Sequence, residues 1–142
     1  RDMPMDVAQD VVNYFKDRYQ IIHIRRDDQL PLLGVDTFKG NIRELMLLIR
    51  NSSKRFFIDS VSQHIAASFG LPSVITWVRN TPNILGYSLH NNIVTSAEDE
   101  LYSTFNSFLE PYDIGGNIYQ CPFREGTKLF NSQEIIQILE RT

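Results

Sequence analysis

Apolar side chains recur every three or four residues in three separate stretches of the chain, which is the spacing of amphipathic helices. The first stretch follows Pro4, a residue that the first turn of a helix tolerates. The second follows Asn41, which together with Glu44 has the spacing of a capping box. The third begins at Ser132 and runs to the end of the chain. The pattern predicts three helices with apolar faces made of Val7, Val11, Val12, Phe15 and Tyr19, of Ile42, Leu45, Met46 and Ile49, and of Ile135, Ile138 and Leu139.

Short apolar runs lie between these helices and are typical of buried strands. We predict strands at residues 20–25, 55–59, 73–78 and 91–95, a short helix at 61–69 and a further helix at 97–109. Strands that alternate with helices favour right-handed crossovers and a parallel sheet. The fold class expected is therefore α/β, with a three-layer Rossmann-like parallel sheet that has helices on both faces.

Composition and charge narrow the possible functions. At 142 residues and 42% hydrophobic, the chain is expected to form a single domain, residues 1–142. Its 14 basic and 17 acidic residues give a net charge of -3, which argues against a nucleic-acid partner. No apolar run reaches the roughly 20 residues of a membrane-spanning helix. Cys121 is the only cysteine, so we expect neither a disulfide nor a thiolate metal site, and no other metal ligands are identified.

The most informative stretch runs from Phe56 to Ile75 and reads as strand, turn, helix, strand. Ser60 and Gln63 have the spacing of a second capping box, and Gly70 suits the left-handed position that ends a helix. Amides at such a helix start can bind an anion, and His64 in the first turn would add a donor or a cation. The alternative is a well-capped surface helix without a ligand.

Ligands of doubly wound sheets bind beyond the carboxyl ends of the strands. The residues expected at that edge are Arg25, Arg26, Lys39, Gly40, Asp59, Ser60, Arg79 and Asn80. Two arginines, a lysine, a helix start and a histidine around one crevice would suit a diphosphate. The alternative for the two arginines is a solvated loop in which they pair with Asp27 and Asp28.

The string Asp59-Ser60-x-x-x-His64-x-Ala66-Ala67 resembles a pattern of the lipopolysaccharide heptosyltransferases, glycosyltransferase family 9. In that family the pattern is Asp-Thr/Ser-Gly-x-x-His-x-Ala-Ala and lies in the carboxyl-terminal domain. The segment that follows, Leu71-Pro72-Ser73-Val74, and the later segment from Asn80 to Ile93 extend the resemblance. The largest departure is Val61, where the family usually has glycine.

The resemblance implies that this chain is the donor-binding half of a two-domain GT-B glycosyltransferase. Asp59, Ser60 and the Val61 amide would hold the phosphate or sugar end of a nucleoside diphosphate sugar, His64 would lie beside it, and Lys39-Gly40 would border the base. No cofactor is expected. The acceptor, a lipopolysaccharide or another cell-surface glycan, would be reached through the other domain.

The same resemblance leaves the catalytic residues outside this domain. The base would belong to an amino-terminal domain, because the chain begins at Arg1 with a helix almost at once and is expected to be the carboxyl-terminal half of a longer protein. The expected location is the cytoplasm or the periphery of the inner membrane. Two alternatives remain open, a nucleotide-sugar epimerase of GT-B shape and a non-catalytic Rossmann-like binding module.

Overall fold

The computed structural model describes residues 3–78, 81–95 and 128–142. Within these ranges the helices are α1 (Met5–Phe15), α2 (Ile42–Asn51), α3 (Val61–Ser68), α4 (Pro82–Leu85) and α5 (Ser132–Arg141). The three amphipathic helices predicted from the apolar spacing are confirmed as α1, α2 and α5. The predicted helix 97–109, together with Arg1, Arg79, Asn80 and Cys121, lies outside the described residues.

Helix α2 begins as its sequence predicts. The Asn41 side chain accepts hydrogen bonds from the amides of Arg43 and Glu44, and the Glu44 carboxylate accepts from the Asn41 amide at 2.7 Å. Both halves of the capping box are therefore present, and amides left unpaired by the helix are satisfied. Basic Arg50 in the last turn also suits the negative end of the helix dipole.

The strands form two parallel groups and are shorter than the sequence predicts. β3 (Phe56–Ile58), β4 (Val74–Trp77) and β5 (Asn91–Val94) make a three-stranded sheet in that order. β1 (Ile22–His23) pairs with β2 (Asp36–Thr37), a strand that the sequence pattern does not predict. The α/β class with parallel strands is confirmed, but β1 and β3 are not paired, so the strands do not make one continuous sheet.

Helices pack on these strands through two apolar clusters. Neighbouring side chains of β3 separate into the two clusters, with Phe56 in the first and Phe57 in the second, as alternation along a strand requires. The second cluster joins α2 to α3 through Leu45, Ile49, Ile65 and Ala66. The first and larger cluster joins α1, β4, β5 and α5, and its buried members are Val7, Val11, Phe15, Val74, Val78, Ile93, Leu129, Phe130, Ile135, Ile136 and Leu139.

Candidate functional site

A cleft of about 1250 Å³ lies between β1 and β3. Residues 20–26 line one wall and residues 51–62 the other, and α1 and α2 also contribute to the lining. Each wall is mainly apolar along its strand and becomes polar where the strand ends. This arrangement is typical of small-molecule sites, in which apolar walls surround a few oriented polar groups.

The two walls run in the same direction. The Lys54 ammonium, just before β3, lies 5.9 Å from the ring centroid of Tyr19, just before β1. The chain segments that enter the two strands are therefore adjacent. Because both strands line the cleft, Arg25 and Arg26 after β1 and Asp59 and Ser60 after β3 lie toward its opposite end. Parallel strands of one sheet have this relation, and the sequence predicts it for these residues.

Arg25 is held by its own loop. Its Nη1 donates to the carbonyl oxygens of Arg26 at 2.9 Å and of Gln29 at 2.8 Å. Its Nε is buried and has no hydrogen-bond partner. Unsatisfied buried donors are uncommon in proteins. The residue as a whole lines the cleft, where the charge of its guanidinium favours an anion.

Arg26 pairs with Asp28, as the alternative interpretation of a solvated loop predicts. Its Nε lies 3.0 Å from Oδ1 of Asp28, and both side chains are mostly exposed. The pKa of the Asp28 carboxyl is lowered, chiefly by the hydrogen bond from Arg26. An exposed pair of this kind contributes little to stability. An anionic ligand that replaced Asp28 as the partner of the Arg26 guanidinium would therefore cost the fold little free energy.

The predicted capping box at the start of α3 is wrong. Ser60 occupies the cap position, but its side chain accepts no hydrogen bond from the first turn. Gln63 donates instead to Oδ1 of Asp59 at 2.9 Å, because the buried amide and the carboxylate after β3 face each other. The predicted stop at Gly70 is confirmed, with φ at 67° and the Leu71 amide donating to the carbonyl of Ala66.

Three residues of the predicted site do not line the cleft. Lys39 and Gly40 are exposed before α2, and His64, in the first turn of α3, is not among the lining residues. A Cβ on Gly40 would come within 2.7 Å of the Glu44 carboxylate, so this glycine makes room for the capping box. The cleft thus brings together Arg25, Arg26, Asp59, Ser60 and Val61.

His64 belongs to a different cluster, which α3 forms with the connection between β4 and β5. Its Nδ1 lies 2.9 Å from the Tyr87 hydroxyl, and the Tyr87 ring packs edge to face against both His64 and His90. His90 is buried, and its Nε2 lies 3.1 Å from the Gln63 carbonyl oxygen. Sequence reasoning included this tyrosine and histidine in the family resemblance only, and their separation from α3 by more than 20 residues hid the contact.

His23 is the titratable residue of β1 and also lines the cleft. Its Nδ1 accepts a hydrogen bond from the Leu32 amide at 3.3 Å. Burial lowers the pKa of His23, and the charge on Arg25 lowers it further. The ring is therefore neutral at pH 7.

Within the described ranges, His, Cys, Asp and Glu side chains do not gather in threes as the ligands of a metal ion would. None of the helices in those ranges has the length and apolar character needed to cross a bilayer. The sequence matches no protein-family model, and comparisons with curated proteins and with solved structures gave no match either.

Proposed function

We propose that the chain is the donor-binding domain of a glycosyltransferase and that the cleft between β1 and β3 holds a nucleoside diphosphate sugar. The observation that carries this proposal is that Arg25, Arg26 and the start of α3 line the same cleft. The two groups belong to segments more than 30 residues apart in the chain. Phosphate oxygens prefer this combination of guanidinium groups and helix amides.

The packing of side chains from the two walls supports a ligand site between β1 and β3. Ile21, just before β1, and Phe56 both pack against the larger cluster, whereas Ile24, just after β1, and Phe57 both pack against the other. The segments that contain β1 and β3 therefore direct side chains toward the same two faces, as they would in one sheet. We infer a Rossmann-like three-layer arrangement with strand order 2-1-3-4-5, in which the β1–β3 gap is the switch point where ligands bind.

The polar residues at that end divide naturally between phosphate and sugar. The guanidinium groups of Arg25 and Arg26 suit the diphosphate, as do the Ser60 hydroxyl and the Val61 amide at the start of α3. Asp59 carries a negative charge and would repel phosphate, but a carboxylate fixed by Gln63 can accept hydrogen bonds from sugar hydroxyls. Val61 narrows the approach relative to a glycine, so the sugar would lie farther from the backbone.

In this proposal the domain positions the donor and stabilises the departing diphosphate. Guanidinium groups and helix amides stabilise the negative charge that builds up as the glycosidic bond breaks. Asp59 is held by the Gln63 side chain and is assigned to orienting the donor. The base would come from another domain, and the 142-residue chain is expected to bind the donor without transferring its sugar.

Nucleoside diphosphates should bind the 142-residue protein about tenfold more tightly than the corresponding nucleosides, because the phosphates supply the charged contacts. Titration of the protein with ADP, GDP, UDP and CDP, followed by amide chemical shifts, measures this difference. The largest shifts are expected at residues 25–26 and 60–62. If none of the four binds at millimolar concentration, the proposal fails.

Substituting Arg26 tests whether the charged end of the cleft is responsible. Arg26→Gln should weaken diphosphate binding about fivefold, the equivalent of roughly 1 kcal/mol for an exposed charge-assisted hydrogen bond. Arg43→Gln is the matched control, since Arg43 is an exposed arginine on α2 that does not line the cleft. Equal weakening by both substitutions would indicate a general effect of net charge and contradict the assigned site.

A further inference from the structure

His90 has one satisfied and one unsatisfied ring nitrogen. A carbonyl oxygen only accepts, so the 3.1 Å contact with Gln63 places a proton on Nε2, which donates to the backbone of α3. Nδ1 is buried and has no partner. The neutral ring therefore fits this position, and a second proton on Nδ1 would put a charge where the structure offers no acceptor bonded to it.

Two further contacts tie the same segment to α3. The Tyr87 hydroxyl lies 2.9 Å from His64 Nδ1, and the Tyr87 ring centroid is 5.6 Å from that of His64 and 5.7 Å from that of His90. Asn92 closes the segment on itself, because its amide donates to the carbonyls of Tyr87 and His90. Residues 82–90 thus contact α3 at two points, through Tyr87 on the His64 side chain and through His90 on the Gln63 backbone.

We propose that residues 82–90 form an acid-released clamp on α3, with His90 as the group whose charging opens it. The clamp is closed when the ring is neutral and donates to the Gln63 carbonyl. Protonation of Nδ1 favours the open form, in which the imidazolium reaches water. Opening also separates Tyr87 from His64 and uncovers the first turns of α3.

The charges around His90 favour release in acid. Burial lowers the pKa of His90, the hydrogen bond from its ring to the Gln63 backbone acts in the opposite direction, and the charges of His64 and Arg55 lower the pKa further. The facing groups that could counteract this are the Tyr87 hydroxyl, bonded to His64, and the Asp59 carboxylate, which accepts from Gln63.

The sign of the pH dependence follows from this lowered pKa. In the open form His90 titrates near its ordinary value of 6.5, whereas in the closed form it binds its proton only at lower pH. Above about pH 6.5 the clamp keeps its full stability. Below that pH its closing constant falls by up to about tenfold per pH unit, until the pH reaches the pKa of the docked ring.

Hydrogen exchange tests the clamp directly. Between pH 7.5 and 5.5, amides of residues 83–90 should lose protection, by at most about tenfold after correction for intrinsic exchange rates, whereas those of α5 should keep theirs. An unchanged segment would overturn the proposal. Loss of protection shared equally by α1 and α5 would also overturn it, because it would show general acid unfolding.

Two glutamine substitutions assign the effect to one histidine. His90→Gln keeps an amide donor for the Gln63 carbonyl but cannot be charged, so the acid-induced loss of protection should disappear. His23→Gln is the matched control, since His23 is also a partly buried histidine with a lowered pKa but lies on β1. The loss should persist in that variant, and its persistence in His90→Gln would overturn the proposal.

A direct titration keeps the proposal testable if His90→Gln fails to fold. The Cε1 proton resonance of His90 in the unsubstituted protein should report a pKa below 6.5. A value at or above 6.5, as would result if the charged ring donated to the buried Oε1 of Gln63, would overturn the proposal.

Discussion

Ile135→Ala should destabilise the protein by about 3 kcal/mol, the usual cost of removing three methyl or methylene groups from a buried isoleucine. Ile135 is fully buried in α5, within the cluster that joins α1, β4 and β5. Urea unfolding followed by the fluorescence of Trp77, the one tryptophan of the chain and fully buried, measures the change.

The matched control is Ile84→Ala on α4. Ile84 is 56% exposed and belongs to neither apolar cluster, so the free energy of unfolding should change by less than about 0.5 kcal/mol. Similar losses in the two variants would show that the α1–α5 cluster does not dominate the stability of the fold.

Arg55→Leu should cost about 3 kcal/mol, although leucine is the more apolar residue. Arg55 is 7% exposed, and its guanidinium donates to the carbonyls of Ser52, at the end of α2, and of Pro72, before β4. Without it, two carbonyl oxygens in the interior lose their partners, at roughly 1 to 3 kcal/mol each. The same urea unfolding measures the loss.

Arg55→Lys separates charge from geometry. Lysine keeps the positive charge but lacks the planar fork that contacts two carbonyls at once, so we expect a loss of roughly half that of the leucine variant. Arg43→Leu, at an exposed position of α2, controls for removal of an arginine as such and should be nearly neutral. A neutral Arg55→Leu variant would contradict the role assigned to this side chain.

Local chemistry explains what the sequence predicts well. Two helix ends that depend on residues close in the sequence are confirmed. They are the start of α2, with the capping box of Asn41 and Glu44, and the end of α3, with the positive φ of Gly70. Each depends on interactions between residues a few positions apart, so the spacing of residue types in the sequence is enough to predict it. The helices α1, α2 and α5 follow from periodicity for the same reason. The predicted apolar face of α2 is only partly buried, because Leu45 and Ile49 are covered whereas Ile42 and Met46 are exposed.

Elements that depend on distant partners were missed or misplaced. β2 has two residues, Asp36 and Thr37, which are too few for alternation to be visible, and its pairing with β1 decides that it is a strand. The Ser60–Gln63 box failed because Asp59, fixed by the end of β3, is the better acceptor for the buried amide. A charge-assisted hydrogen bond in the interior outweighs a cap at a half-exposed helix start.

The candidate site shows the same division. Because the ends of parallel strands meet at one edge of a sheet, the sequence predicts Arg25, Arg26, Asp59 and Ser60 in one cleft. These residues line it together. Their ligand remains a prediction. The direction of a side chain is a finer property, and periodicity does not carry it. His64 turns toward Tyr87, 23 residues later, and both arginines have partners within their own loop.

The pairing of α1 with α5 has a consequence for synthesis of the protein. Arg18 reaches Glu140 at 2.5 Å and Asp10 accepts from Ser132, contacts that span 122 residues. While the chain emerges from the ribosome, α1 can pack on β4 and β5, but the part of its apolar face that α5 covers stays open until residue 139 has left the exit tunnel. A nascent chain stalled before α5 would therefore present an apolar binding site for chaperones of the Hsp70 kind.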